Sequence, residues 1–180
     1  MLKIILLTGA VLAGAAFIVV LIIGSLLPKH HVASRAITLH RKPEDVFQLI
    51  SDFKTAPSWR SNVLDVELLP PSDGHIRYRE KGTNGTITME IVKSDPPLRM
   101  AARIADKGLP FGGMWIFDVS PTAEGCRLNI TERGEIYNPV FRFVSRFFLG
   151  YHRTLDTYLQ NVNRKFDENS PPREGRAATL

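Results

Sequence analysis

Residues 4–27 form one uncharged run, IILLTGAVLAGAAFIVVLIIGSLL, in which only Thr8 and Ser25 carry polar side chains. As a helix rising about 1.5 Å per residue, the run extends roughly 36 Å, enough to cross a hydrocarbon core of about 30 Å with some tilt. Such a helix is apolar on every side, so only a large core could bury it, and the residues that follow are too few to build one. Lys3 precedes the run; Pro28 and Lys29 end it. The chain therefore divides into an N-terminal membrane anchor, residues 1–28, and a soluble remainder. The alternative is a cleaved secretory signal, for which Val32-Ala33-Ser34 offers a small-residue cleavage site. A signal's apolar segment usually has about 7–15 residues, well short of this one.

The flanks orient the anchor. Lys3 and the terminal amine precede it, whereas Lys29, Arg35, Arg41 and Lys42 follow it. The positive-inside rule then predicts a single-pass membrane protein with its C-terminal domain in the cytoplasm. The net charge of +5 is moderate, and the basic tracts and base-stacking aromatics of a nucleic-acid binder are missing. A basic domain beside a bilayer more naturally faces anionic membrane lipids. The single cysteine, Cys126, cannot form an intrachain disulfide.

Beyond a short linker, residues 29–33, the pattern changes to alternation. Ser34–Arg41 reads as a first strand. Pro43-Glu44-Asp45 marks a helix start, with Pro at the first helical position and acids in the first turn, and a second short helix is expected at Thr55–Arg60. Six strands follow: Val63–Leu69, His75–Lys81, Thr86–Lys93, Leu98–Ala105, Gly113–Val119 and Cys126–Ile136. They are separated by Pro- and Gly-rich turns, among them the hairpin dipeptide Asn84-Gly85. A long helix from Asn138 to Phe166 is predicted by an Asn-Pro start and an apolar stripe of Val140, Val144, Phe147, Phe148, Tyr151, Leu155, Tyr158, Leu159, Val162 and Phe166. Residues 167–180, with Pro171-Pro172 and no apolar period, are expected to be a disordered tail. An α+β fold results, in which a curved seven-stranded antiparallel sheet and two short helices surround the long helix. Only the sheet is large enough to cover that helix's stripe.

This order, with the segments KPEDVFQLISDFKTAPSWRSNV, RYREKG, Asp95-Pro96-Pro97-Leu98-Arg99, Gly112-Gly113-Met114-Trp115 and Thr131-Glu132-Arg133-Gly134-Glu135, resembles the helix-grip fold of the START-like (SRPBCC) superfamily. That superfamily includes Bet v 1-like and polyketide cyclase/dehydrase-like proteins. The resemblance covers residues 34–166. It implies an apolar ligand held between sheet and helix; members include enzymes, carriers and proteins without assigned activity.

The candidate ligand-binding residues are Tyr78, Glu80, Met89, Met100, Trp115, Phe117, Glu132, Tyr151 and Leu155. Alternation places Ile76, Tyr78 and Glu80 on one strand face; Met89, Met100, Trp115 and Phe117 fall on the apolar faces of their strands. Such residues are either ordinary core or the lining of a pocket. Glu80 and Glu132 share their faces with apolar side chains, where a carboxylate is costly unless paired. They either reach water or an arginine near the strand ends, or act as polar anchors or acid/base groups in a cavity. Arg142, Arg146, Arg153 and Arg164 fall together on the long helix opposite its stripe, as a solvated face or as contacts to lipid headgroups.

No catalytic constellation is recognisable. HExxH, paired cysteines, GxSxG and a phosphate-binding loop are all missing, so neither a metal nor a cofactor is expected. The preferred expectation is a membrane-tethered binding domain for an apolar or amphipathic, lipid- or isoprenoid-like ligand. The alternatives are a cyclase- or dehydrase-type enzyme using Glu80, Glu132 or Tyr78, and a non-catalytic adaptor with a filled core. Oligomeric state is left open. The linker spans at most roughly 18 Å, which keeps the domain beside the bilayer.

Overall fold

The computed structural model describes residues 1–180, the side chain of Ile5 excepted. Helix α1, Leu2–Leu26, is the apolar run, long and apolar enough to cross a membrane. Its described side chains from Leu2 to Val19 are all exposed.

Strand β1 spans His30–Leu39, so residues 30–33 are strand and only residues 27–29 connect it to α1. The linker expected at 29–33 is absorbed because the backbone of His30–Ala33 pairs with Glu135–Glu132 of the last long strand. Helix α2, Pro43–Ser51, starts on its proline with Glu44 and Asp45 in the first turn, where their charge favours the helix N-terminus. Val46, Phe47 and Ile50 face inward. A 3-10 turn at Phe53–Ser58 replaces the expected second helix. Strands β2 (Val63–Ser72), β3 (His75–Gly82), β4 (Gly85–Asp95), β5 (Arg99–Ile104), β6 (Phe111–Thr122) and β7 (Gly125–Ile136) form a meander. β7 then pairs with β1, and all pairings are antiparallel.

The long helix is divided. Helix α3, Pro139–Val144, is capped by Asn138, whose side chain accepts from the Phe141 amide. It runs into a π turn, Ser145–Leu149, which ends at Gly150 with φ 69°. Helix α4, Arg153–Phe166, lies along the sheet. Its Leu155, Tyr158, Leu159 and Val162 meet Leu39, Leu128 and Ile130 in the core. Fully burying a side chain of this size contributes about 1.5–3 kcal/mol, and the Arg35–Asp156 ion pair at 2.6 Å ties α4 to β1. The expected stripe is buried only within α4; Phe147 and Phe148 are exposed.

The tail is not a free end. Arg173–Glu174 forms β8 beside β1, giving an eight-stranded sheet. The Arg176 carbonyl then accepts from Ser34, Asn129 and Thr131 on the sheet's outer face. Those buried polar groups need partners, and the tail backbone supplies them. This is why a stretch without apolar periodicity is held in place.

Candidate functional site

Alternation along β3–β7 turns one row of side chains toward α4. The curved sheet does not close fully on that helix, and a cavity of about 470 Å³ remains between them. Tyr78, Glu80, Met89, Met100, Trp115, Phe117, Glu132 and Tyr151 all line it. Leu155 does not: it is fully buried in the packed core, on the part of α4 that the sheet covers completely. Ile76, expected on the same face as Tyr78, is exposed near the open end of β3.

The walls are largely aromatic. Tyr158 is the hub, with Trp59, Trp115 and Phe117 within 5.5–5.6 Å of its ring. Phe53 stacks on Tyr78 at 4.3 Å. Edge-to-face and offset geometries suit the ring quadrupoles, so the cage holds its shape by its own packing.

One polar cluster sits in this wall. Arg60, from the loop after the 3-10 turn, donates to both Glu80 oxygens at 2.6 and 2.9 Å. Its guanidinium also lies 5.0 Å from the Tyr158 ring centre. Burial opposes the arginine's charge, but Glu80 together with the neighbouring Tyr158 and Tyr78 outweighs that and holds Arg60 above its ordinary pKa. Burial, reinforced by Glu80, keeps the phenols of Tyr78 and Tyr158 protonated well above their usual range, against the pull of Arg60. Arg60 Nε and the Trp59 indole N–H are buried donors without a protein partner.

A second pair lies toward the mouth. His31 Nε2 is 3.5 Å from Glu132 Oε1, and the imidazole stacks on Tyr151 at 4.1 Å. The ring lies flat over Gly134, where any Cβ would overlap it. His31 Nδ1 and Glu132 Oε2 are buried without a partner. Among the described residues, no group of His, Cys, Asp and Glu side chains is arranged to hold a metal ion.

Residues 30–166 match the family model described as polyketide cyclase / dehydrase and lipid transport. The chain belongs to this family. No curated protein matches it by sequence. Solved structures of the same fold are numerous. A conserved protein from Geobacillus kaustophilus aligns at TM-score 0.64 with 15% identity, covering 80% of this chain and 100% of that one. Truncated norcoclaurine synthase from Thalictrum flavum aligns at 0.61 with 13% identity, covering 78% and 95%. A START superfamily protein from Mycobacterium smegmatis aligns at 0.60 with 12% identity, covering 76% and 97%. At these identities the likeness establishes the fold alone.

Within this polyketide cyclase/dehydrase-like member, sequence reading missed Arg60, Tyr158 and His31 as cavity residues. For Arg60 the signal was Glu80 itself, since a carboxylate on an apolar face requires a counter-charge. For His31 the signal was period-two alternation carried backwards: His31 shares parity with Ala33, Arg35, Ile37 and Leu39. For Tyr158 the stripe placed it correctly on the inner face but could not separate core from cavity wall. The basic stripe is also corrected. Arg142 is buried, while Arg146, Arg153 and Arg164 are exposed, because Arg142 alone of the four turns onto the carbonyls at the end of α1. Chemically, the cavity offers apolar burial, one neutralised ion pair that can orient a polar group, and one His–Glu pair able to accept or deliver a proton.

Proposed function

We propose that this protein is a membrane-tethered domain that holds an apolar or amphipathic ligand, a lipid or isoprenoid-like molecule, between the sheet and α4. One observation carries the reading: an apolar, aromatic-lined cavity of about 470 Å³ with a few convergent polar groups, chief among them the Arg60–Glu80 pair. Small-molecule sites typically enclose about 300–1,000 Å³ with a few convergent polar groups. Apolar burial would supply the affinity. Arg60, Tyr78 and Trp59 would orient the ligand's polar end. In this reading α1 is the anchor, and the excess of basic residues after it supports a domain on the cytoplasmic side.

Native mass spectrometry of the full chain, released from detergent after exposure to a total lipid extract, tests this. Wild type is expected to retain a bound lipid. Met100→Trp, which narrows the cavity from β5, is expected to retain markedly less while keeping its melting transition. Equal retention by the two proteins would place the lipid elsewhere and sink the reading.

A second reading rests on the His31–Glu132 pair with its two unpartnered buried atoms. In a cyclase- or dehydrase-type enzyme, Glu132 or His31 would remove or return a proton at a ligand carbon or hydroxyl. Glu80 is unsuited to that role because Arg60 occupies both of its oxygens. Glu132→Gln that retains ligand but accumulates it unconverted would favour this reading over simple carriage.

A further inference from the structure

The exposed aromatic segment Phe141–Leu149 sits where α1 ends, and the cavity opens along its inner side. Three contacts fix that position. The Pro139 carbonyl approaches Gly24 so closely that a Cβ at Gly24 would overlap it. Arg142, buried in α3, donates through Nη1 to the Leu27 carbonyl at 2.6 Å and to the Ser25 carbonyl at 3.4 Å. The last carbonyls of a helix have no intrahelical donor and carry partial negative charge. α1 has no basic residue in its own last turn, and Arg142 takes that place. α3 is therefore clamped at the level where the apolar run stops.

What this clamp presents is unlike the rest of the domain surface. Phe147 is 57% and Phe148 75% exposed, with Phe141 and Leu149 beside them. Phe143 packs on Phe147 and Phe148 at 4.9 and 6.1 Å, making one cluster. Contiguous apolar exposure of this kind marks an interaction surface. Exposed Arg146, and Lys29 directly after α1, flank it, the arrangement that suits acyl chains beneath anionic headgroups. The other side of the same segment, Phe141, Ser145, Leu149, Gly150 and Tyr151, lines the cavity.

We propose that Phe141–Leu149 inserts into the headgroup–acyl boundary of the bilayer that holds α1, so that the cavity mouth opens onto lipid rather than water. This rests on the anchor half of the function proposed above. The occupant is a lipid surface because the cluster is continuous with α1, whose own described surface is exposed up to Val19 and, Lys3 and Thr8 apart, apolar. Aromatic side chains concentrate at that depth. A ligand with a long apolar chain then passes from the bilayer into the cavity between α3 and β6 without crossing water.

The test uses the full chain in nanodiscs of phosphatidylcholine with a minority of phosphatidylglycerol. Single cysteines carrying an environment-sensitive fluorophore are placed at Phe148, at Val11 within α1, and at Glu124 at the far end of the sheet. The native Cys126 is fully buried and takes no label. Expected are blue-shifted emission and quenching by acyl-chain nitroxide lipids at F148C and V11C, with neither at E124C. A water-exposed F148C beside a lipid-buried V11C overturns the insertion and leaves the patch for a protein partner. A water-exposed V11C overturns the anchor, and the insertion with it. As a second arm, Phe147→Asp with Phe148→Asp is expected to lower the rate at which a fluorescent fatty acid passes from vesicles into the protein. Its occupancy in detergent should stay at the wild-type level. An unchanged rate refutes the route, whereas loss of occupancy in wild type itself points to failure of the cavity reading.

Discussion

Removing Arg60 would leave Glu80 stranded in an aromatic wall, and the loss can be worked from the geometry. The two hydrogen bonds measure 2.6 and 2.9 Å, and the side chains are only 14% and 9% exposed. Breaking a buried pair from one side costs about 3–5 kcal/mol, because the remaining charge is neither solvated nor neutralised. The Tyr158 contact at 5.0 Å adds a cation–π term of about 0.5–1 kcal/mol. The cavity lets some water reach the stranded carboxylate, which favours the lower end. Arg60→Met is therefore expected to destabilise by about 3 kcal/mol, or roughly 6–12 °C in melting temperature for a chain of this size. Arg60→Met combined with Glu80→Leu should recover most of the loss, since apolar residues of similar volume often replace a buried pair at little cost. Thermal melts of the four proteins in one detergent close the double-mutant cycle. If Arg60→Met alone melts within about 1 °C of wild type, equivalent to at most roughly 0.5 kcal/mol, the stranded Glu80 is fully solvated and the buried-pair argument fails.

Burial, with a smaller contribution from Glu168, pushes the Cys126 thiol up to about 11 from an ordinary 9.0. Below pH 9 the thiol is neutral in both folded and unfolded chains and stability is unaffected. Between pH 9 and 11 only the unfolded chain releases the proton, so stability falls by about 2–3 kcal/mol over that window. Urea titrations of wild type and Cys126→Ala at stepped pH should differ by that slope; parallel curves would refute it. Gly134→Ala places a Cβ into the His31 ring, and the displaced imidazole loses its stack on Tyr151. A melting loss of about 1–3 kcal/mol is expected, and unchanged melting would mean that the ring swings clear freely.

The strand meander was legible because each strand keeps a period-two pattern between Pro/Gly punctuation; the hairpin expected at Asn84-Gly85 turns one residue earlier, on Thr83-Asn84, with Gly85 already paired to Gly82. α2 was legible from Pro43 and its acids. Tyr78, Trp115 and Phe117 were correctly placed on the inner face for the same local reason. What local pattern could not supply was the partner of each group. Arg60 lies in an irregular loop with no period, and only folding brings it against Glu80, from an adjoining part of the sheet. His31 looked like connecting chain because the edge of β1 depends on β7, roughly a hundred positions later in the register His31↔Gly134. The tail has no apolar signal at all; its order comes from backbone groups meeting Ser34, Asn129 and Thr131.

The sequence by itself determined the apolar length of α1, the alternation of the strands and the amphipathic face of α4, since each is set by neighbours within a few residues. Tertiary structure alone decided that α4 leaves a cavity rather than a filled core, that Arg60 neutralises Glu80, and that α3 turns away at Gly150 to clamp the end of α1. Those outcomes depend on how sheet curvature, helix offset and long-range pairing divide space, and no local periodicity encodes that division.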